Sequence, residues 1–450
     1  MKAFSSYLKT ASIYFSIRHC RNDPQKNFAY KRAMQTDTCK SGYYMACIKN
    51  HLLFVILFSK FKIEAMKTKF KIEAMKTKYL FQFISLIILT LFFTACKKNG
   101  IHFCNGDDKI TGTSTVFATG LNNPRGLKFG PDNQLYVAEG GIGGQDTTNC
   151  TQVIPPVGPY TGSTNGSRIS RINSAGKRFT YVDNLPSSQT SPAEGSLISG
   201  VADVAFVGHT LYALFAGAGC SHGVKDIPNE LIRVNPDKSW DMVANLSDYL
   251  MNHPVANPEE DDFEPDGTWY SMINVNGDLY AVEPNHGELD RISTDGNITR
   301  VIDVSAMEGH IVPTALAFNN GNFYLGNLST FPAMNQSKVY KISMDGRITD
   351  SVGEFNAILG VAFDESGAMY VLENFTNNPF PTPGTGDIVR VDRLGSKQVI
   401  ISGLNLPTGM TFGPDGKLYV SEWGFGMPPG GGQILQITLS CDQIHGKMQN

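Results

Sequence analysis

A short pattern of apolar and polar positions recurs six times between residue 124 and residue 440. Each copy reads as an apolar–x–Phe segment, a turn rich in Gly and Asp, and then an apolar residue followed by Tyr. The first copy spans 126–139 and the last spans 409–422. Alternation of this kind, bounded by turn residues, predicts short β-strands. The tyrosines that mark the copies are Tyr136, Tyr212, Tyr280, Tyr324, Tyr370 and Tyr419.

A second alternating segment follows each tyrosine, as in 168–172 and 387–391. The last four copies are spaced by about 44–50 residues, which is typical of one four-stranded propeller blade. No long amphipathic helical period competes with this pattern. The sequence therefore predicts an all-β fold, a six-bladed β-propeller over residues 112–441.

The way the ring closes can also be predicted. The last copy ends at Leu439 after its third strand, and a spare strand at 116–118 precedes the first copy. We expect this N-terminal strand to complete the last blade as its outer strand, because that pairing removes two open sheet edges.

The segment before the propeller has the features of an export signal. Residues 79–93 are free of charge, 75–78 include two lysines, and Thr94-Ala95 precede Cys96. A basic stretch, an apolar stretch and small residues indicate a secretory signal peptide, predicted here at 75–96. It resembles a bacterial lipoprotein signal, which implies lipidation of Cys96 and a place in the cell envelope, either the periplasm or the outer membrane and cell surface. Phe93 departs from the leucine that this motif prefers.

Residues 1–74 contain a nonapeptide at 61–69 that is repeated at 70–78. We interpret 1–74 as a non-functional extension, with translation starting at Met75 or Met66. The alternative is a cytoplasmic extension before a transmembrane anchor. Residues 97–111 are then a linker and 442–450 a tail.

Four cysteines remain in the exported part, and an even number permits disulfides. Cys104 and Cys441 flank the predicted closure, whereas Cys150 and Cys220 lie in inserted loops of adjacent blades. We expect these two pairings, although four cysteines allow three connectivities.

Charge narrows the choice of partners. The 450 residues carry a net charge of −3, but residues 97–450 alone carry −15. Nucleic acid is excluded as a partner, because its binding depends on basic contacts. Metal ions and cationic ligands are compatible with such a body. We expect a monomer.

One residue in each copy, three positions after the tyrosine, should lie on the rim over the channel. Four of these positions are Glu139, Glu283, Glu373 and Glu422. Converging carboxylates could bind Ca²⁺ or Mg²⁺. The alternative is that each Glu accepts backbone N–H groups within its own blade.

Several residues outside the repeat are candidates for chemistry. His286 and His310 could supply a general base, or could simply make loop hydrogen bonds. Four side chains could contact a ligand: Arg125, Asp203, Tyr270 and Trp423. The acidic run 259–266 lacks calcium-loop spacing and is interpreted as a solvated connector. The sequence has no phosphate-binding glycine loop, no Gly-x-Ser-x-Gly and no zinc-like spacing.

Three phrases carry a family resemblance: GLNNPRGLKFGPDNQLYVAEGG, WYSMINVNGDLYAVEPNHGELDRI and GLNLPTGMTFGPDGKLYVSEWGFG. They resemble the ScyD/ScyE family of exported propeller proteins over about 115–439. The repeats are more distantly similar to virginiamycin B lyase and NHL-type propellers, and gluconolactonases share the architecture. The resemblance implies fold and export more than chemistry.

Three functions stay open at this point. The first is a lipid-anchored propeller that binds a small molecule, glycan or protein at its rim. The second is a metal-dependent lyase or hydrolase that uses the glutamates and histidines named above. The third is a structural scaffold of the cell envelope.

Overall fold

The computed structural model describes residues 109–258 and 263–442. It is built almost entirely from β-strands. In chain order the strands are β1 (Lys109–Leu121), β2 (Pro124–Phe129), β3 (Leu135–Glu139), β4 (Thr161–Ile172), β5 (Arg178–Gln189), β6 (Ile198–Ser199), β7 (Val201–Val207), β8 (Thr210–Phe215), β9 (Glu230–Val234), β10 (Trp240–Asn245), β11 (Ser271–Val275), β12 (Asp278–Glu283), β13 (Glu288–Ile292), β14 (Ile298–Asp303), β15 (Pro313–Asn319), β16 (Asn322–Asn327), β17 (Ser337–Ser343), β18 (Ile348–Phe355), β19 (Ile358–Phe363), β20 (Met369–Glu373), β21 (Gly386–Val391), β22 (Lys397–Leu404), β23 (Gly409–Phe412), β24 (Leu418–Glu422) and β25 (Gly432–Asp442). Two short helices, α1 (Leu246–Asn252) and α2 (Ser305–Glu308), lie between blades.

The strands form six antiparallel sheets, which confirms the predicted six-bladed propeller. Blade 1 holds β2–β5 with β6 added at its edge. Blades 2 to 5 hold β7–β10, β11–β14, β15–β18 and β19–β22, and blade 6 holds β23–β25 with β1. The first strand of each blade lines the centre and contacts the first strands of both neighbouring blades, so the ring is continuous.

The closing strand is the one that the sequence predicted. β1 pairs with β25 from Lys109 opposite Asp442 to Leu121 opposite Gly432. With 13 residues it is longer than the predicted core at 116–118 and begins before the predicted boundary at 112. This long pairing covers the outer edge of β25 and joins the two ends of the ring, with β1 as the outermost strand of blade 6.

The repeated Phe and Tyr explain why the blades pack side by side. At four of the six junctions described, the phenylalanine at the end of an inner strand packs edge-on against the tyrosine of the preceding blade, as in Phe206 on Tyr136 at 5.0 Å between ring centroids. Phe129 on Tyr419, at 4.9 Å, makes the same contact across the closure. Such pairs contribute about 0.5–1.5 kcal/mol beyond their buried area. The tyrosine hydroxyl also fixes the preceding turn, since Tyr419 donates to Asp415 at 3.1 Å.

Several predictions fall outside the described residues. They include the extension 1–74, the signal peptide 75–96 with Cys96, most of the linker, Cys104 and the tail after 442. Within the described ranges, no helix has the length and apolar character needed to cross a bilayer.

Candidate functional site: the channel mouth and the upper face

Antiparallel blades place two kinds of loop on the same side of the ring. The connection from the second to the third strand of a blade and the connection to the next blade both lie there, and we call this side the upper face. The two hairpin turns of each blade lie on the opposite, lower face. All candidate residues for chemistry come from the upper face or from the start of an inner strand.

Asp203 lies at the mouth of the channel and is almost fully buried. Its carboxylate accepts hydrogen bonds from the backbone N–H groups of Val204 and Met272, both at 2.8 Å. Burial raises the pKa of Asp203 and outweighs these hydrogen bonds and the attraction of Lys128. A side chain at Gly126 of blade 1 would overlap the Asp203 carboxylate, so this glycine is what admits the acid.

Tyr270 reaches across the channel to another blade. Its hydroxyl donates to the backbone carbonyl of Thr408, the residue that directly precedes β23 of blade 6, at 3.1 Å. Burial raises the pKa of Tyr270 to about 12, although Arg125 beside it acts in the opposite direction. Arg125 itself donates to the carbonyl of Ile198 at 2.5 Å.

Three of the predicted ligand-binding residues, Arg125, Asp203 and Tyr270, are therefore brought together. The cavity that Asp203 and Tyr270 line has a volume of only about 30 Å³, room for roughly two water molecules. The polar side chains at the mouth thus bond to the ring itself. Trp423 lies apart from them on the blade 6 loop, where its backbone N–H donates to Asn405 at 2.9 Å.

The four glutamates each serve their own blade. Glu139 accepts from the backbone N–H of Asn122 at 2.6 Å and forms an ion pair with Arg168 at 2.8 Å. Each of the other three glutamates likewise accepts a hydrogen bond from the backbone N–H of a residue shortly before the inner strand of its blade. These pairs are Glu283 with Thr268, Glu373 with Asn356 and Glu422 with Asn405.

This is the alternative that the sequence left open. Among residues 109–258 and 263–442, no three carboxylate, imidazole or thiol groups lie together in a way that could hold a metal ion. The glutamate oxygens are already engaged by N–H donors, so this donor set does not fit Ca²⁺ or Mg²⁺.

His286 is held by a glutamate rather than presented to the solvent. Its Nδ1 lies 3.0 Å from Glu283 Oε2, and the ring packs edge-on against Phe263. Burial lowers the pKa of His286, but the Glu283 carboxylate outweighs it and the net effect is a raised pKa. Nδ1 is thus engaged within the blade, and the role of His286 as a general base stays a prediction. His310 lies half-buried in the loop between α2 and β15.

A second buried histidine was missed by sequence reasoning. Both ring nitrogens of His222 face acceptors: Nδ1 lies 2.7 Å from the Ala218 carbonyl and Nε2 lies 3.0 Å from Glu264. Tyr160 donates to the other oxygen of Glu264 at 2.7 Å. Burial lowers the pKa of His222, but the Glu264 carboxylate outweighs burial and the net effect is a raised pKa, which favours an ion pair between the two groups. No repeat or motif marks His222, and only its place in an inserted loop could have drawn attention to it.

The prediction that the acidic run 259–266 is a solvated connector was wrong in part. Glu264 and Asp266 are buried, not solvated, while 259–262 lie outside the described residues. Asp266 accepts from the backbone N–H of Ser221 at 2.7 Å and from its hydroxyl at 2.5 Å. The residues around 264–266 therefore fasten the connection between blades 2 and 3 to the inserted loop of blade 2.

A disulfide joins the two inserted loops of blades 1 and 2, through Cys150 and Cys220. The hydroxyl of Thr148 donates to the carbonyl of Cys220 at 2.5 Å and adds a second link. Cys441 is also disulfide-bonded, whereas Cys104 is outside the described residues.

Buried carboxyl groups at the start of the third strands were also missed. Glu230 is 2% exposed, and burial raises its pKa to about 8. In blade 5, burial and the neighbouring Glu373 raise the pKa of Asp387 to about 8. In blade 3, burial and Glu288 raise the pKa of Asp290 well above its usual value. These positions read as ordinary polar strand residues in the sequence.

Comparison with known proteins gives little beyond the architecture. No known protein family matches the chain, and no curated protein matches it. The chain is similar to a gluconolactonase from Xanthomonas campestris, with 11% identity, 75% of this chain and 91% of that chain covered and a TM-score of 0.46. It is similar to a streptogramin B lyase, with 12% identity, 74% and 98% covered and a TM-score of 0.41. It is also similar to a catalytically inactive virginiamycin B lyase from Staphylococcus aureus solved with quinupristin, with 14% identity, 73% and 99% covered and a TM-score of 0.39. The chain's own sheet topology, not these matches, establishes it as a six-bladed β-propeller.

Proposed function

We propose that this protein is an exported, lipid-anchored binding propeller of the ScyD/ScyE type, and that its upper face engages a small molecule, glycan or protein of the cell envelope. The signal-like segment 75–96 and Cys96 support export and anchoring, and the three resembling phrases support the family.

The exposed apolar surface carries the assignment of the binding face. Among the described residues 16 large apolar side chains are exposed, and 10 of them lie on the loops and short helices of the upper face. Those ten are Ile142, Ile154, Leu197, Met251, Phe263, Met307, Phe331, Met334, Phe380 and Met427. Only Met344 and Leu394 lie on the lower turns. This uneven distribution of exposed apolar side chains favours the upper face as the interaction site.

The polar chemistry of this face supports binding over metal-assisted catalysis. The glutamates proposed as metal ligands accept backbone hydrogen bonds, and His286 is paired with Glu283. The disulfide between the two inserted loops stiffens the rim, which lowers the entropy cost of holding a ligand.

Hydrogen exchange tests the binding face. The full chain is expressed, and the mature protein that results is incubated with polysaccharide, lipid and protein fractions of the host cell envelope. We expect protection of upper-face loops by one fraction, loss of that protection in the Ile142→Glu/Met427→Glu double variant, and no loss in Leu394→Glu. Protection confined to the lower turns or to the outer strands would overturn the proposal.

Anchoring has its own test. Cells that express the full chain are fed an alkyne-labelled fatty acid. We expect label on the wild type and none on Cys96→Ser, with the mature N-terminus at residue 96 by mass spectrometry. If the wild type carried no label, the proposed lipid anchor would be refuted, and the hydrogen-exchange experiment would still test the binding face.

A further inference from the structure

The upper loops of blades 4 and 5 form an aromatic surface that the repeat does not require. Phe331 lies on the loop 328–336 and Phe380 on the loop 374–385, with ring centroids 6.1 Å apart and planes inclined by 25°. The Phe375 ring also lies 6.1 Å from Phe331, with planes inclined by 28°. We call this group of three rings the blade 4–5 platform. Phe331 is 46% exposed and Phe380 is 54% exposed, whereas Phe375 is fully buried.

The platform is built rigidly from below. Phe375 packs with Ala333 and Ala357 in a small separate core, which ties the two loops to the ring. The backbone N–H of Ala333 donates to the carbonyl of Pro379 at 3.1 Å and joins the loops to each other. Exposed aromatic side chains therefore stand on a fixed base, and a ligand that stacks on them meets a preorganised surface.

The polar side chains of the second loop hold its shape. Asn378 donates to Thr382 at 2.7 Å, and the hydroxyls of Thr376 and Thr385 donate to the carbonyls of Thr385 and Thr382, both at 2.8 Å. These bonds are satisfied within the loop, so Phe380 is held outward without help from a partner.

Charge decides what kind of ligand fits. Neither 328–336 nor 374–385 contains a charged residue, although residues 97–450 carry a net charge of −15. A charged ligand would gain no ion pair here, so the loops complement a neutral one.

Three exposed polar side chains on the same loops still have hydrogen-bonding groups without a partner among the described residues. They are the hydroxyl of Thr330, the amide N–H₂ of Gln336 and the amide oxygen of Asn377. Flat apolar rings flanked by neutral hydroxyl and amide groups match a sugar ring, which has an apolar C–H face and hydroxyls around its edge. An aromatic ligand would use the rings but not the polar flank.

We propose that the blade 4–5 platform is a carbohydrate subsite that stacks a neutral sugar ring on Phe331 and Phe380. The proposal rests on the binding role of the upper face and names the class of ligand that this part of it takes.

Affinity electrophoresis of the protein processed from the full chain tests the subsite. The gels contain either a neutral polysaccharide (laminarin, xyloglucan or soluble starch) or an anionic one (alginate), and cellohexaose, maltohexaose and chitohexaose are titrated by calorimetry. We expect retardation in at least one neutral gel and none in alginate. Affinity should fall at least tenfold in Phe331→Ala and in Phe380→Ala and should be retained in Phe380→Trp.

Phe179→Ala is the matched control, because Phe179 is a half-exposed aromatic on β5, away from the upper loops, and should change nothing. No retardation in any neutral gel, or equal retardation of wild type and both alanine variants, would overturn the subsite. If p-cresol bound to the wild type and not to the alanine variants, while no sugar bound, the carbohydrate assignment would also be overturned. The exchange experiment on envelope fractions separates these failures from failure of the binding role itself.

Discussion

Glu230 offers a sharp test of how burial sets the stability of this ring. Its carboxyl group is buried at the start of β9, Oε1 has no hydrogen-bond partner among the described residues, and no described cation forms an ion pair with it. Burial raises its pKa from 4.5 to about 8. The folded state therefore holds a proton that the unfolded chain gives up, and stability that is present below pH 4.5 is lost as the pH rises toward 8.

The size of the effect follows from linkage. The free energy of unfolding falls by about 1.4 kcal/mol for each pH unit between the two pKa values, so the total loss is at most about 5 kcal/mol above pH 8. Solvent screening at the partly buried carboxyl and the cost of burying an amide reduce this. We expect Glu230→Gln to be about 1–3 kcal/mol more stable than wild type at pH 8, and equal or slightly less stable at pH 4.5.

Urea unfolding of both proteins from pH 4 to pH 9 measures this directly. Glu194→Gln, on an exposed turn, is the control and should stay within about 0.5 kcal/mol at every pH. If Glu230→Gln were less stable than wild type at both ends of the range, with the same slope against pH, a buried neutral carboxyl at this position would be refuted.

Four further outcomes follow from described contacts. Cys150→Ser should lower the free energy of unfolding by about 4 kcal/mol, because the disulfide closes a loop with a sequence separation of 70; reduction of the wild type, which also opens the disulfide of Cys441, should cost at least as much, and equal stability of the variant and the oxidised wild type would contradict the prediction. Gly126→Ala should lose at least about 2 kcal/mol in urea unfolding because its Cβ overlaps Asp203, whereas Gly353→Ala, where a Cβ finds ordinary contact distance, should lose little. Because the pKa of His222 is raised, its ion pair with Glu264 stabilises the fold below about pH 6.5 and fades as the pH rises; His222→Asn should be most destabilising at pH 6 and least at pH 9, and a pH-independent loss would count against the ion pair. Deletion of β1 should lower the melting temperature and cause association, since β25 then has an open edge; a monomer of unchanged melting temperature would be inconsistent with closure by β1.

The fold was predictable because most blades repeat a contact that the next blade needs. Among the described residues the Phe and Tyr of the repeat meet at four of the six junctions between blades, so their recurrence in the sequence encodes the packing. The closing strand was predictable for a related reason: a final unit with three strands needs a fourth.

The site was less predictable, because burial is decided by loops that do not repeat. In the sequence, the carboxylates on the rim resembled metal ligands. Only the structure shows that Glu139 and the glutamates at the same position in other blades already accept hydrogen bonds from backbone N–H groups. His222 and Glu264 come from separate inserted segments, and nothing in their local sequence indicates that they meet. Arg125, Asp203 and Tyr270 could be placed near the channel mouth from the sequence, because each lies at or next to the start of an inner strand, whereas their role toward a ligand stays a prediction.

The antiparallel seam between β1 and β25 also sets a direction for the whole molecule. Lys109, where β1 begins, lies opposite Asp442 on the lower side, because β1 runs from there toward the loops above. Both ends of the described chain therefore lie on the lower side of the ring, and the aromatic loops of the upper face stand opposite them, clear of any attachment made through either end.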